Sequence, residues 1–231
     1  SFNQVIGLAP DVLQLGFLKL LKGSPLSIDA SLHGYVFQEH PPYQILKNNY
    51  LGYHELALLQ DMEEMVKRYY NSKAFTHTMG YLIGNTYQGD AFRFFQELAH
   101  FWREKGCFLK GHKRDEEYLL LYEFSVYNHA LNTPAVKEYL RFDYLLYQGP
   151  RHLPGVLQNG DYPKSNELAY AFVKNEQLVL KYIPQLIKSG IGDRRRRIHL
   201  ETFSVSPLTM GAANPSPHVV LFVYPPGSPR A

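Results

Sequence analysis

From Gly52 to about residue 190 the apolar side chains recur every three to four positions, and that period commits the chain to a mainly α fold. Leu56, Leu59, Met62, Val66, Tyr69 and Tyr70 fall on one helical face, and Asn71-Ser72 supplies a terminus. A second, short helix is predicted over Phe75–Ile83. The next starts at Asp90, whose carboxylate can accept from the first-turn amides, and closes at Gly106, with Phe94, Phe95, Leu98, Phe101 and Trp102 on one face. Over Asp115–Leu131 the apolar residues Leu119, Leu120, Tyr122, Phe124 and Tyr127 lie nearly all round the axis, the pattern of a well-buried helix. Pro134 suits the first turn of a fifth helix that runs to Gly149-Pro150. Gln158–Pro163 reads as a loop, then Leu168–Lys174 and Leu178–Lys188 as helical segments, the second disturbed by Pro184.

The period changes at both ends. The apolar run Val12–Leu21 fits a buried strand or a short helix, and Gly23-Ser24-Pro25 stops it. Tyr35-Val36-Phe37 is of β type and ends at Pro41-Pro42, so residues 1–50 read as short strands and connections. Beyond Gly190, Ile198–Val205 and His218–Tyr224 are β-branched and aromatic runs, an antiparallel hairpin with a long Pro/Gly-containing loop. The last seven residues are expected to fray. The fold expected is therefore a helical, bundle-like domain with a C-terminal β-hairpin.

Composition removes several function classes. Cys107 is the only cysteine, which excludes an internal disulfide framework, a cysteine-rich zinc site and an iron–sulfur cluster held by this chain alone. With 18 Tyr, 14 Phe and one Trp, rings must build much of the core. The net charge is only +3 and the strongest basic run is Arg194–Arg197, so overall charge does not indicate nucleic-acid binding. No apolar run reaches the roughly 18 residues of a membrane span, no signal pattern is present, and a single thiol fits a cytoplasmic protein. The opening Ser1-Phe2-Asn3-Gln4-Val5, without an initiator methionine, is expected to be a trimmed amino terminus.

Local motifs point to no complete catalytic site. His54-Glu55 begins like a zinc-protease helix, but Leu58 stands where the second histidine must be. Glu97 and His100 have the i, i+3 spacing of di-iron bundles, with Glu63 or Glu117 as a further carboxylate, but such bundles need two such pairs and only one exists, so a solvent-facing pair is the expected reading. Asp143, on an apolar helix, is expected to pair with Arg141 or Arg151 or to cap a backbone group. Cys107 lies just past a helix C-terminus, where the dipole disfavours a thiolate. Arg194, Arg195, Arg196 and Arg197 form either a phosphate or acidic-partner contact or a solvated loop leading into a strand. The ring stripes Phe94/Phe95/Phe101/Trp102 and Tyr118/Tyr122/Phe124 read as core.

Several segments together resemble one family. Phe2-Asn3 followed by Leu13–Gly23 resembles the end of the barrel in cobalamin-binding radical SAM proteins, and Pro41-Pro42-Tyr43-Gln44-Ile45-Leu46 is similar to that family's exit from the barrel. Tyr69-Tyr70-Asn71-Ser72 with Phe75, Phe94-Phe95-x-x-Leu98-Ala99-x-x-Trp102, Phe142-Asp143-Tyr144-Leu145, His199-Leu200-Glu201-x-Phe203 and Val220-Leu221-Phe222 are similar to its carboxy-terminal domain of unknown function. Such proteins are often named after anaerobic magnesium-protoporphyrin IX monomethyl ester cyclase. The resemblance implies that residues 1–51 are barrel-derived, that 52–190 form the helical domain and that 191–231 add its hairpin and tail. It further implies a parent enzyme whose missing N-terminal domains, the partners of this part, hold cobalamin, S-adenosylmethionine and a 4Fe-4S cluster. Neither a cysteine triad nor a cobalamin histidine motif maps onto this sequence, so no cofactor is expected in this chain and the fragment itself is not expected to be an enzyme.

Overall fold

A computed structural model describes residues 1–21, 23–128, 131–159, 165–208 and 217–226. The described residues are mainly helical, with two small antiparallel strand pairs and no barrel, which agrees with the helical period and the C-terminal hairpin. By internal contacts the chain divides into two compact units, Ser1–Lys73 with Gly89–Gly111, and Ala74–Gln88 with His112–Ala231.

In the first unit, α1 (Phe2–Gly7) is a short helix where strands and connections were expected. Its start is fixed by a capping box between Ser1 and Gln4. The Phe2 ring packs edge-on against Phe92 and Phe95, and the Asn3 side chain accepts from the Phe92 amide and donates to Asp90. Asp90 is the N-cap expected for α5 (Ala91–Glu104), accepting from the Arg93 amide. The Asn3 bond first, and the Arg93 amide second, hold the Asp90 carboxyl below its usual range. Phe94, Phe95, Leu98, Phe101 and Trp102 are all buried, at about 1.5–3 kcal/mol each. Gly106, at φ +66°, closes the helix as its period predicts.

Helix α3 (Tyr53–Met65) packs on α5 and runs without a break into a π-helical turn, Val66–Asn71. The wider turn re-aims its last side chains. Tyr70 donates to the Pro10 carbonyl at 2.7 Å, and the Asn71 amide pairs with both backbone groups of Leu13 at 2.9 and 2.8 Å. Val12–Leu21, open between strand and helix, contains no helix among its residues. Its only ladder contact is an isolated antiparallel bridge, Lys19 to Gln44. Helix α2 (Pro25–Asp29) and the strand pair β1 (Val36–Phe37) and β2 (Ile45–Lys47) complete the segment.

The second unit begins with α4 (Thr76–Tyr81), which widens into a π-helical turn at Leu82–Thr86. Helix α6 (Arg114–Tyr127) buries Tyr118, Leu121 and Phe124, while Val126 and Tyr127 are exposed. It is one-faced, not buried all round, because tyrosine can cover apolar surface and still reach water. Helix α7 (Thr133–Tyr147) has Pro134 in its first turn, is capped by Asn132 and ends before Gly149 at φ +80°. Helices α8 (Ser165–Lys174) and α9 (Glu176–Tyr182) follow, with a break at Ile183-Pro184 as expected. Residues 129–130 of the expected fourth helix, most of the Gln158–Pro163 loop and 227–231 of the tail lie outside the described residues.

After α10 (Ile191–Arg196), strands β3 (Ile198–Phe203) and β4 (His218–Val223) pair in continuous register from Ile198–Val223 to Phe203–His218. Alternation divides the hairpin between two cores. Ile198 and Leu200 pack with Phe172, Val173 and Val179, whereas Phe203, Phe222 and Tyr224 pack with Phe142 and Leu145 of α7.

Candidate functional site

Asp143 projects from the buried side of α7 onto the start of α4. Its carboxylate is fully buried and accepts four bonds: the His77 amide at 3.2 Å, and the Thr78 amide, the Thr78 hydroxyl and His77 Nδ1 at 2.8 Å each. A carboxylate can only accept, so the contact fits the His77 tautomer that carries its hydrogen on Nδ1. The ring is held edge-on to Phe142 at 4.6 Å, and the side chain retains about a fifth of its exposure. Nε2 is thereby the nitrogen left to accept a proton or a ligand. A carboxylate-oriented imidazole of this kind can serve as a base. Asp143 thus fills the capping role that its sequence position suggests, and Arg141 is not its partner.

Arg141 is engaged elsewhere. Wholly buried, it donates to the Thr202 carbonyl at 2.6 Å, pairs with Glu138 at 3.0 Å and stands 3.9 Å from Glu201. The guanidinium also stacks over Phe203, and Glu201 is bonded in turn to His199 at 3.0 Å. Glu138 accepts from the Ser204 amide at 2.7 Å, so the cluster clamps the hairpin to α7. Its sequence signal is the polar alternation His199, Glu201 on an otherwise apolar strand, which marks one face as facing something charged.

The residues singled out from sequence are spread over the chain. Glu97 accepts from Arg93 one turn earlier at 2.8 Å, and His100 is exposed on the same helix. Glu117 is bound by Arg114 at 2.5 Å. Among the described residues no group of three or more His, Cys, Asp and Glu side chains is placed to hold a metal. Arg194–Arg197 lie at the end of helix α10 and its cap, not on a loop, and they do not share one surface. Arg194 is buried and donates to the carbonyls of Leu186, Val173 and Ile187, where it satisfies chain ends. Arg195 stacks over Tyr170, Arg196 is exposed near Asp193, and Arg197 reaches the Tyr224 carbonyl at 3.5 Å. Cys107 is buried directly after Gly106.

Two concavities accompany these groups. In the first unit, Leu15, Phe17, Ile45 and Leu56 line a space of about 350 Å³. In the second, a groove of about 730 Å³ is lined by residues of α8, α9 and the hairpin. Among the described residues no helix is long and apolar enough to cross a membrane.

These features define a mainly helical domain closed by a two-stranded hairpin, with buried ionic clamps at Asp143 and Arg141. The chain belongs to the family described as protein of unknown function (DUF4080), whose family model matches residues 31–222. No curated protein and no solved structure matches it.

Proposed function

We propose that the chain is the non-catalytic carboxy-terminal part of a cobalamin-dependent radical SAM iron–sulfur oxidoreductase, where it covers the barrel or shapes substrate or partner binding. One observation carries this reading: the segment between Leu13, held by Asn71, and Leu18, whose carbonyl accepts from the Ile45 amide, has strand-like alternation and, among the described residues, no partner backbone. Its exposure alternates residue by residue, with Leu13, Leu15 and Phe17 turned inward and Gln14, Gly16 and Leu18 outward. Among the described residues the backbone of Gln14–Phe17 makes no hydrogen bond. Unpaired strand backbone beside apolar side chains is a template for addition to another sheet. Ten of the twenty large apolar side chains left exposed among the described residues also fall between Val5 and Tyr53, a density well above that of the remaining chain. Within that stretch Leu8 and Ile28 are the most exposed, at 82% and 79%.

The cluster does not fit this chain, because one buried cysteine cannot supply the ligands of a four-iron centre. The radical chemistry therefore falls to the preceding domains. Amide hydrogen exchange at Gln14–Leu18 tests the reading, comparing this chain alone with the same residues inside the cluster-bearing polypeptide. Protection should rise at least tenfold in the longer polypeptide. Equal exchange in both, or S-adenosylmethionine cleavage by this chain alone, would overturn it.

A further inference from the structure

The groove between α8, α9 and the hairpin has walls of one character and a rim of another. Phe172, Leu178, Leu200 and Leu221 form the walls, and no charged side chain lines it among the described residues. A volume of about 730 Å³ falls in the range of small-molecule sites, and water there would find few hydrogen-bonding partners. Apolar groups that could have closed the space are instead exposed around it: Leu208, Val219 and Tyr182 are each more than half accessible. The polar groups are donors. Asn175 commits its carbonyl oxygen to the Gln177 and Leu178 amides, which leaves its NH2. The Tyr182 hydroxyl is a second donor, and the Lys181 ammonium sits 4.9 Å over the ring of Tyr182, itself a lining residue. Residues 165–197, which include the groove's helical walls, carry seven Lys and Arg against three Asp and Glu.

We infer that this groove binds a long-chain carboxylate, with the hydrocarbon between α8 and the hairpin and the head group at Lys181 and Tyr182. An apolar bed selects the alkyl body, and donors at the rim select an acceptor head. One ammonium and one phenol match a monoanion; a phosphate head calls for a fork of arginines, and Arg194 is spent on carbonyls. The inference is independent of the radical SAM reading, since every residue it uses lies in this chain.

Isothermal titration of the 231-residue chain with hexadecanoate below its micelle concentration tests it, beside hexadecanol and hexadecyl phosphate. Hexadecanoate should bind once per chain and raise the thermal midpoint, and Ala171→Phe, which fills the groove from an exposed position, should abolish binding. Lys181→Glu, at an exposed site that folding does not need, should weaken the carboxylate at least tenfold and leave the alcohol unchanged. No saturable binding, full binding by the Ala171→Phe protein or tighter binding of the phosphate would each overturn the assignment. So would a dimer that Ala171→Phe dissociates, because the groove would then be a contact between copies.

Discussion

Replacing Asp143 by alanine isolates the clamp between α4 and α7. The substitution strands the Thr78 amide and hydroxyl, both in the interior, and the His77 amide and Nδ1 nearer the surface. A buried donor left without a partner costs about 1–3 kcal/mol, so the two Thr78 groups alone account for about 2–6 kcal/mol. Water can reach His77, whose share is smaller, and removing a buried carboxylate returns part of its desolvation cost. The expected loss is about 4 kcal/mol. Asp143→Asn keeps one acceptor oxygen but turns an NH2 toward one pair of donors, and should lose about half as much. Urea unfolding followed by far-ultraviolet circular dichroism is the suitable assay. The one tryptophan, Trp102, lies in the first unit, so its fluorescence should lag behind the dichroism if the two units melt separately. A loss below about 1 kcal/mol for Asp143→Ala would refute the clamp.

Three further outcomes follow from other contacts. Burial, and next the Asp143 charge, push the Tyr118 hydroxyl above its usual range, so the folded state keeps this proton when the unfolded chain has lost it. Its contribution is complete below about pH 10 and fades above it by about 1.4 kcal/mol per pH unit; Tyr118→Phe should flatten urea midpoints measured from pH 9 to 11. Arg141→Met leaves Glu138 and Glu201 without their cation and should cost about 3–5 kcal/mol, with Arg141→Lys restoring less than half because an ammonium cannot span the fork's partners. Asn71→Ala should release residues 10–13, seen as faster hydrogen exchange at Leu13, and unchanged exchange there would mean that Tyr70 alone holds the segment.

The helices were legible in the sequence because their signals are local. Asp90, Gly106 and Gly149 act on amides and carbonyls within a turn of themselves, Pro134 marks a first turn, and the apolar stripe of α5 is visible at i, i+3 and i+4. The two π-helical turns were not, since an added residue per turn leaves the apolar spacing nearly intact. Asp143 could be marked as a buried acid in need of a partner, but His77 and Thr78 are 66 and 65 positions away and no local pattern points to them. The run Arg194–Arg197 reads as a partner contact or a solvated loop, and nothing local shows that its first member turns inward. The groove was invisible for a similar reason: its walls are ordinary helix and strand faces until the elements are assembled.

The division of the chain bears on how it can be made. Ala74–Gln88 belongs to the second unit although first-unit residues flank it on both sides. During synthesis, α4 leaves the ribosome with its first amides uncapped and waits for the carboxylate of residue 143. A short helix in that position is marginal by itself, and closing a loop of this length adds an entropic cost that grows only slowly with length. Folding of the second unit is therefore tied to the arrival of α7, and a polypeptide cut after residue 111 would present α4 as a loose insert. Fusion, splitting and domain-swapping experiments on this family must keep residues 74–147 together, because the natural seam of the chain is not a single point.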